Sequence, residues 1–142
     1  MPVFGKTSRE RLNTCHPDLI KICNFVIEYL DFSVFCGFRN KAAQQEAFED
    51  GLSQVQWPNS KHNKIPAMAV DAGQYFPELR NTDWNDKVAF GVLAGYMKLA
   101  AEILYERGEI SHKIRWGGDW DGDNRTSDET FQDLPHFELV KP

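Results

Sequence analysis

The chain has 142 residues, of which 42% are hydrophobic and 26% charged, a balance typical of one globular domain rather than of a disordered or fibrous chain. Its formal net charge of -5, with no run of Lys or Arg, argues against a nucleic-acid binder, which needs a basic patch to contact phosphates. The three cysteines, Cys15, Cys23 and Cys36, are odd in number and lack paired spacing, so we expect reduced, largely buried thiols.

The N-terminal residues do not have the pattern of a signal peptide. Residues 1–6 contain no apolar run of the kind that forms the centre of a signal peptide. No stretch reads as the roughly 20 apolar residues that span a bilayer. We therefore expect a protein that is made in a cytosol and has no stable association with a membrane. We also expect a monomer.

Hydrophobic periodicity and capping residues predict the elements in chain order. Leu19, Val26 and Leu30 recur at helical spacing after Pro17, which suits a first helical turn. Asn40 suits the start of a helix and Gly51 its end. The predicted elements are a helix over 8–30 broken near His16-Pro17, a strand over 31–36, a helix over 41–50, an irregular loop over 52–64, a strand over 68–71, a helix over 84–107, and strands over 113–116 and 136–140.

Helices and strands do not alternate strictly in this order. The predicted fold class is therefore α+β, with helices packed on one face of a small, mainly antiparallel sheet. Asp83 is the predicted cap of the longest helix, and Gly108 its end. The residues expected to form its buried stripe are Ala89, Val92, Leu93, Tyr96, Ala100 and Ile103.

Two stretches supply candidate metal ligands. His62 and Asp71 stand nine residues apart, with a turn between them, and His136 lies near the C-terminus. Two imidazoles and one carboxylate fit a catalytic zinc site, which has three protein ligands and one open position. Structural zinc sites are instead closed by four ligands that are usually rich in Cys.

Strand alternation places His136 toward a cleft. Phe137 and Leu139 are expected to face the core, so His136 and Glu138 share the opposite face. Asp133, three residues before His136, is a candidate general base for an attacking water, although Asp-x-Pro is also common turn chemistry. Glu138 is the alternative base, or a partner that orients a His ligand.

Other polar residues have simpler interpretations. His16 and His112 have no acidic companion at a useful spacing, and we expect structural roles for them. The acidic stretch 119–129 lacks the Gly and the Glu of a calcium loop, since Asn124 and Thr130 stand at those positions. We expect a solvated loop there. This loop and the loop 52–64 are both expected to form walls beside the metal rather than a lid over it. Trp116 and Trp120 suit either a substrate groove or the core.

The sequence resembles the M15 family of zinc peptidases, which includes D-Ala-D-Ala carboxypeptidases such as the VanY-like enzymes and phage L-alanyl-D-glutamate endopeptidases (endolysins). The family pattern is Ser-x-His, a short spacer, Ala-x-Asp, and later Asp/Glu-x-x-His. The matching segments are Ser60-x-His62, Ala69-Val70-Asp71, Asp133-x-x-His136, the upstream Gly37-Phe38-Arg39 with Gln44, and Trp116 to Trp120, a segment typical of phage members. The spacer departs from the pattern, because Pro66 replaces a Gly and the gap is nine residues rather than seven.

The resemblance implies an M15/Hedgehog-like fold and a set of site residues. It implies that His62, Asp71 and His136 bind Zn2+ and that Asp133 is the general base. It also implies that Arg39 holds the substrate or its developing oxyanion. The other residues for which we expect a substrate-binding role are Gln44, Ser60 and Trp120.

The expected function is that of a phage endolysin. Residues 1–142 would form a single catalytic peptidase domain, without a separate wall-binding domain, that cuts the L-Ala–D-Glu bond of the peptidoglycan stem peptide. We expect it in the host cytoplasm before lysis and at the cell wall afterwards. The alternatives are a D-Ala-D-Ala carboxypeptidase of the same family and a non-catalytic wall-binding or virion module.

Overall fold

The computed structural model describes residues 1–142 and contains four α-helices and four strands. A short 3-10 turn, Lys61–Asn63, interrupts the predicted irregular loop. The elements are α1 (Lys6–Leu12), α2 (Pro17–Ile27), β1 (Phe32–Cys36), α3 (Lys41–Glu49), β2 (Ala69–Gln74), α4 (Lys87–Glu106), β3 (Lys113–Trp116) and β4 (His136–Val140).

The four strands form one sheet in the order β1-β2-β4-β3, and every pair in it is antiparallel. Asp71 on β2 stands between Cys36 on β1 and His136 on β4. On the far side of β4, Glu138 stands opposite Arg115 on β3. The register therefore brings polar residues from all four strands into two neighbouring rows, Cys36–Asp71–His136 and Glu138–Arg115. The predicted α+β class is confirmed.

The two faces of the sheet differ in chemistry. Val70, Phe137 and Leu139 belong to the main hydrophobic core, where α4 packs against β2, β3 and α2. Their neighbours Asp71 and His136 point to the other face, as the alternation of a strand requires. One face thus anchors the sheet, and the other presents polar groups to a groove.

Helix α4 begins later than predicted. Asp86, not Asp83, accepts a hydrogen bond from the Ala89 amide at 3.1 Å and caps the helix. Asp83 accepts from the Asn85 amide in the preceding turn. The predicted stripe is partly wrong, because Val92 and Tyr96 are exposed and Ile103 is half-buried. The buried residues of α4 are Ala89, Phe90, Leu93, Ala94, Met97, Ala100, Ala101 and Leu104.

Helix α4 also corrects the expectation that no stretch reaches membrane-spanning length. It has 20 residues, and an 18-residue window with a mean hydropathy of 1.4 makes it long and apolar enough to cross a bilayer. In this fold 44% of that window is buried inside the protein. A core helix meets the same criteria of length and composition.

The junction of α1 and α2 contains a polar cluster that the sequence does not predict. His16 caps α2 by accepting a hydrogen bond from the Asp18 amide, which confirms the break near His16-Pro17. The Asp18 carboxylate accepts from His112 Nδ1 at 2.7 Å and from the Ser111 amide at 3.0 Å. Both histidines therefore lie beside the Asp18 carboxylate, contrary to expectation. The hydrogen bonds of Asp18 join α2 to the segment before β3.

The three thiols are free, as expected, and Cys15 and Cys23 are buried. Burial raises the pKa of Cys15 to about 12 and raises that of Cys23 further above its ordinary value. The α3 caps are also confirmed, since Asn40 accepts from the Ala43 amide at 2.9 Å and Gly51 adopts a φ of +75°.

Candidate metal centre

The 3-10 turn fixes the position of His62. The Ser60 hydroxyl accepts a hydrogen bond from the His62 amide, and Asn63 Oδ1 accepts from the Ser60 amide, so the turn is capped reciprocally. Asn63 Nδ2 donates to the Arg39 carbonyl at 3.0 Å. The turn is therefore tied to the segment after β1, and the His62 side chain is held with only 2% of its surface exposed.

The structure brings the three predicted ligands together. Nε2 of His62 lies 3.1 Å from Oδ1 of Asp71, and Nδ1 of His136 lies 3.3 Å from the same oxygen. The two imidazole rings meet edge to face, with centroids 5.2 Å apart. Residues that are separated by 65 positions in sequence thus converge on one carboxylate.

The outer nitrogen of each imidazole is held by an acceptor. His62 Nδ1 donates to the Gly37 carbonyl at 2.7 Å, and His136 Nε2 donates to Glu138 Oε1 at 2.8 Å. In the neutral imidazoles these bonds leave His62 Nε2 and His136 Nδ1 as the lone-pair nitrogens, and both face Asp71. Metal-binding histidines are oriented in this way, so the donor set fits a zinc ion.

The electrostatics of the trio favour a positive charge between its members. Burial alone would raise the pKa of Asp71, but the two neighbouring imidazoles hold it well below its usual range. Burial also disfavours a charged His62, yet the Asp71 carboxylate raises the pKa of its imidazole to about 10. Burial opposes charge on His136 too, and bonds to Asp71 and Glu138 raise its pKa. A cation coordinated by the three side chains satisfies the same preference.

Asp133 lies beside the trio at the edge of the groove. Its Oδ2 is 4.0 Å from His136 Nδ1, and its side chain is 31% exposed. Burial, and then the charge of Asp71, raise the pKa of Asp133 above its ordinary value. A partly exposed carboxylate with a raised pKa, beside the three candidate ligands, suits a general base.

Glu138 is engaged on both of its oxygens. Oε1 accepts from His136, while Oε2 accepts from Arg115 Nη2 at 2.7 Å and lies 3.2 Å from Lys61 Nζ. Burial opposes ionisation, but the bonds from His136 and Arg115 lower the pKa of Glu138 to about 2. Of its two predicted roles, the geometry favours the partner that orients His136.

Arg39 lines the groove beside Asp71, whereas Gln44 lies inside the protein. Arg39 Nη2 lies 3.4 Å from Asp71 Oδ2, and its Nη1 donates to Gln44 Oε1. Gln44 is fully buried, and its Nε2 donates to Ser53 Oγ and the Val55 carbonyl. The substrate-binding role implied for Gln44 is therefore corrected: its amide is used inside the protein, where it positions Arg39 and the loop.

A groove of about 560 Å³ opens over these residues. The two loops predicted as its walls do line it, one through residues 52–55 and 59–62 and the other through residues 129–131. Trp120 lies in the groove, tilted against the His136 ring with centroids 5.5 Å apart. Trp116 is a core residue, and its Nε1 donates to the Leu134 carbonyl.

The acidic stretch is only partly solvated. Asp121, Asp123 and Asp128 are exposed as expected. Asp119 is 2% exposed instead, where its Oδ2 accepts from the Asn124 amide at 2.8 Å and lies 3.5 Å from Lys98 Nζ. The expectation of a wholly solvated loop is therefore wrong at Asp119, which anchors the loop to α4.

Sequence patterns miss three residues near the centre. Cys36 stands opposite Asp71 in the sheet, and its thiol belongs to a cluster with His62 and Asp71 whose ligand atoms lie within 4.8 Å of one another. Lys61 and Arg115 line the groove. Strand alternation could have placed Arg115 beside Glu138 only if β3 were known to be the neighbour of β4.

Comparisons with known proteins agree with this geometry. A family model described as phage L-alanyl-D-glutamate peptidase matches residues 2–140. The L-alanyl-D-glutamate peptidase of Escherichia phage T5 is 31% identical over 96% of this chain and 97% of its own. The crystal structure of ChiX, an L-Ala D-Glu endopeptidase of Serratia marcescens, has a TM-score of 0.72 and 29% identity and covers 96% of this chain and 89% of its own. The chain therefore belongs to the phage L-alanyl-D-glutamate peptidase family and is a peptidase.

Proposed function

We propose that this peptidase hydrolyses the L-Ala–D-Glu bond of the peptidoglycan stem peptide as an endolysin, with one zinc ion as cofactor. The observation that carries the proposal is the convergence of His62 and His136 on Asp71 at the floor of a groove, with Asp133 beside them. The names of the relatives supply the bond, and the donor set supplies the metal.

His62, Asp71 and His136 would hold the zinc ion. When bound, such an ion polarises the scissile carbonyl and makes water more acidic. The hydrogen bonds to Gly37 and Glu138 keep the ligand nitrogens in the right tautomer and orientation. Arg39, next to Asp71, places a fixed positive charge near the point where an oxyanion develops.

Asp133 would move the proton. Its carboxylate accepts a proton from the attacking water and then gives it to the leaving amine nitrogen of D-Glu. Its raised pKa suits both halves of this cycle, since a stronger base also holds the proton until the amine leaves. The groove walls are largely polar, which suits a hydrated glycopeptide.

Digestion of purified peptidoglycan tests the proposal. We expect falling turbidity, peptides released from the sugar chains and new N-terminal D-Glu, all identified by mass spectrometry. Release of D-Ala alone, without a fall in turbidity, would instead identify a D-Ala-D-Ala carboxypeptidase. Binding to the wall without any new terminus would identify a non-catalytic module. The host-cytoplasm location before lysis, the single catalytic domain, the monomeric state and the absence of stable membrane association remain predictions.

A further inference from the structure

Arg115 is a second cation in the groove, and most of its hydrogen-bonding capacity is unused. A guanidinium has five N–H donors. Nη2 of Arg115 donates to Glu138, whereas its Nε is buried and has no acceptor. The side chain is 41% exposed, and its guanidinium carbon lies 5.8 Å from the centroid of the Trp120 ring. Arg115 is therefore held in place on one side and free to bind an anion on the other.

The charge around Arg115 is not balanced. Glu138 is its carboxylate partner, and that carboxylate also faces Lys61 at 3.2 Å and accepts from His136. Lys61 and Arg115 thus share the one negative charge of Glu138, so this carboxylate does not fully neutralise the guanidinium. A planar guanidinium is the side chain best suited to a carboxylate.

Arg115 lies on the same wall as the proposed general base. Gly117, two residues after Arg115, accepts a hydrogen bond from the Asp133 amide at 2.8 Å and donates to the His136 carbonyl. A base that returns its proton to the leaving amine must face the amine half of the substrate. The β3–β4 wall is therefore the wall beside which the amine half lies.

The amine half of the L-Ala–D-Glu bond begins with an anion. The stem peptide continues through the side-chain carboxyl of D-Glu, so the α-carboxylate next to the scissile nitrogen is free. Arg39 is less suited to it, because its side chain is only 17% exposed and already contacts Asp71 and Gln44.

We propose that Arg115, supported by Trp120, binds the free α-carboxylate of D-Glu and so determines the preference for an acidic residue on the amine side of the cut bond. This inference rests on the proposed function and adds a specificity-determining residue to it. It predicts that the enzyme distinguishes D-Glu from D-isoglutamine, in which that carboxylate is an amide.

Two synthetic stem peptides, identical except for D-Glu or D-isoglutamine, test the inference in the zinc-loaded protein. We expect kcat/KM to be about 10- to 100-fold higher for the carboxylate peptide, because a hydrogen bond to a charged group contributes a free energy of that size. Arg115→Gln should remove most of this ratio, and Arg115→Lys should keep part of it. Lys113→Gln is the matched control, because Lys113 is on the same strand but pairs with Glu102 outside the groove.

The ratio of kcat/KM for the two peptides distinguishes binding of the α-carboxylate by Arg115 from a purely structural role of Arg115. If Arg115 acts only by holding Glu138 and His136, Arg115→Gln slows both peptides equally and the ratio is unchanged, which overturns the inference. Equal rates on both peptides by the unmodified protein overturn it as well. If the unmodified protein cuts neither peptide, the proposed function itself fails, and the inference falls with it.

Discussion

His136 and Glu138 lie two residues apart on β4 and are joined by a hydrogen bond of 2.8 Å from Nε2 to Oε1. Strand alternation places both on the face opposite Phe137 and Leu139, so one short segment supplies a candidate metal ligand and the group that orients it. Glu138 in turn contacts Lys61 and Arg115, which connects the candidate metal centre to two cations that line the groove.

Removal of either imidazole ligand should remove the metal. We expect the unmodified protein to contain about one zinc ion per chain, and His62→Ala or His136→Ala to contain almost none and to be inactive. Metal analysis by mass spectrometry measures this directly. His112→Ala is the matched control, because His112 pairs with Asp18 away from the groove. Full zinc content in both ligand variants would contradict the assignment.

Asp133 and Glu138 should respond differently to loss of charge. Asp133→Asn should keep its zinc and its fold but lose turnover by about 10²-fold or more, as expected for a missing general base. Glu138→Gln should weaken zinc binding by about 10- to 100-fold and recover activity at high zinc concentration. Zinc titrations and steady-state rates of both variants decide between the roles. An active Asp133→Asn beside an irreversibly inactive Glu138→Gln would reverse them.

Gly117 allows the close approach of the segment that carries Asp133. A Cβ on Gly117 would lie 2.1 Å from the Asp133 carbonyl oxygen, so Gly117→Ala must displace the proposed base. We expect Gly117→Ala to lose most activity while keeping its zinc ligands. Gly95→Ala is the control, since nothing lies within 4 Å of its Cβ and alanine favours the helix by about 0.5–1 kcal/mol. Unchanged activity of Gly117→Ala would show that the position of Asp133 is unimportant.

Asp18 should contribute stability that depends on pH. Burial opposes its ionisation, but bonds from His112 and the Ser111 amide lower the pKa of Asp18 below its ordinary value of 3.8. The folded state therefore favours the carboxylate, so its contribution is full above pH 3.8 and is lost as pH falls through the lowered pKa. We expect Asp18→Asn to cost about 1–3 kcal/mol at neutral pH.

Urea unfolding at neutral pH and at the lowest pH where the fold persists measures that difference. The difference in free energy of unfolding between the unmodified protein and Asp18→Asn should become smaller in acid. Asp50→Asn, at an exposed residue, controls for the loss of one negative charge. A difference that is the same at both pH values would contradict the role of the ionised carboxylate.

Local patterns predict the parts of the fold that depend on neighbouring residues. The alternation of apolar and polar residues around Phe137 predicts the strand β4 and the orientation of His136, and Asn40 predicts the start of α3. Helix α4 is different, because it is apolar on almost every side and its periodicity cannot identify the buried face. Leu93 and Met97 are buried while Val92 and Tyr96 are exposed, a choice made by packing against α2 and the sheet.

The rest of the site depends on contacts between distant segments. Arg115 reaches Glu138 only because β3 pairs with β4 at the end of the sheet order β1-β2-β4-β3, which no local pattern specifies. His112 reaches Asp18 across 94 positions for the same kind of reason. Gln44 was implied by the family pattern, but its complete burial follows from the loop that folds over it.

We propose that zinc at His62, Asp71 and His136 enables hydrolysis of the L-Ala–D-Glu bond. The most direct measurement is the appearance of new D-Glu amino termini from a defined stem peptide, with chelator-treated protein and after zinc is returned. We expect no cleavage by the metal-free protein, and full cleavage at that bond once about one equivalent of zinc is bound. Cleavage of the same bond by protein shown to contain no metal would contradict the account.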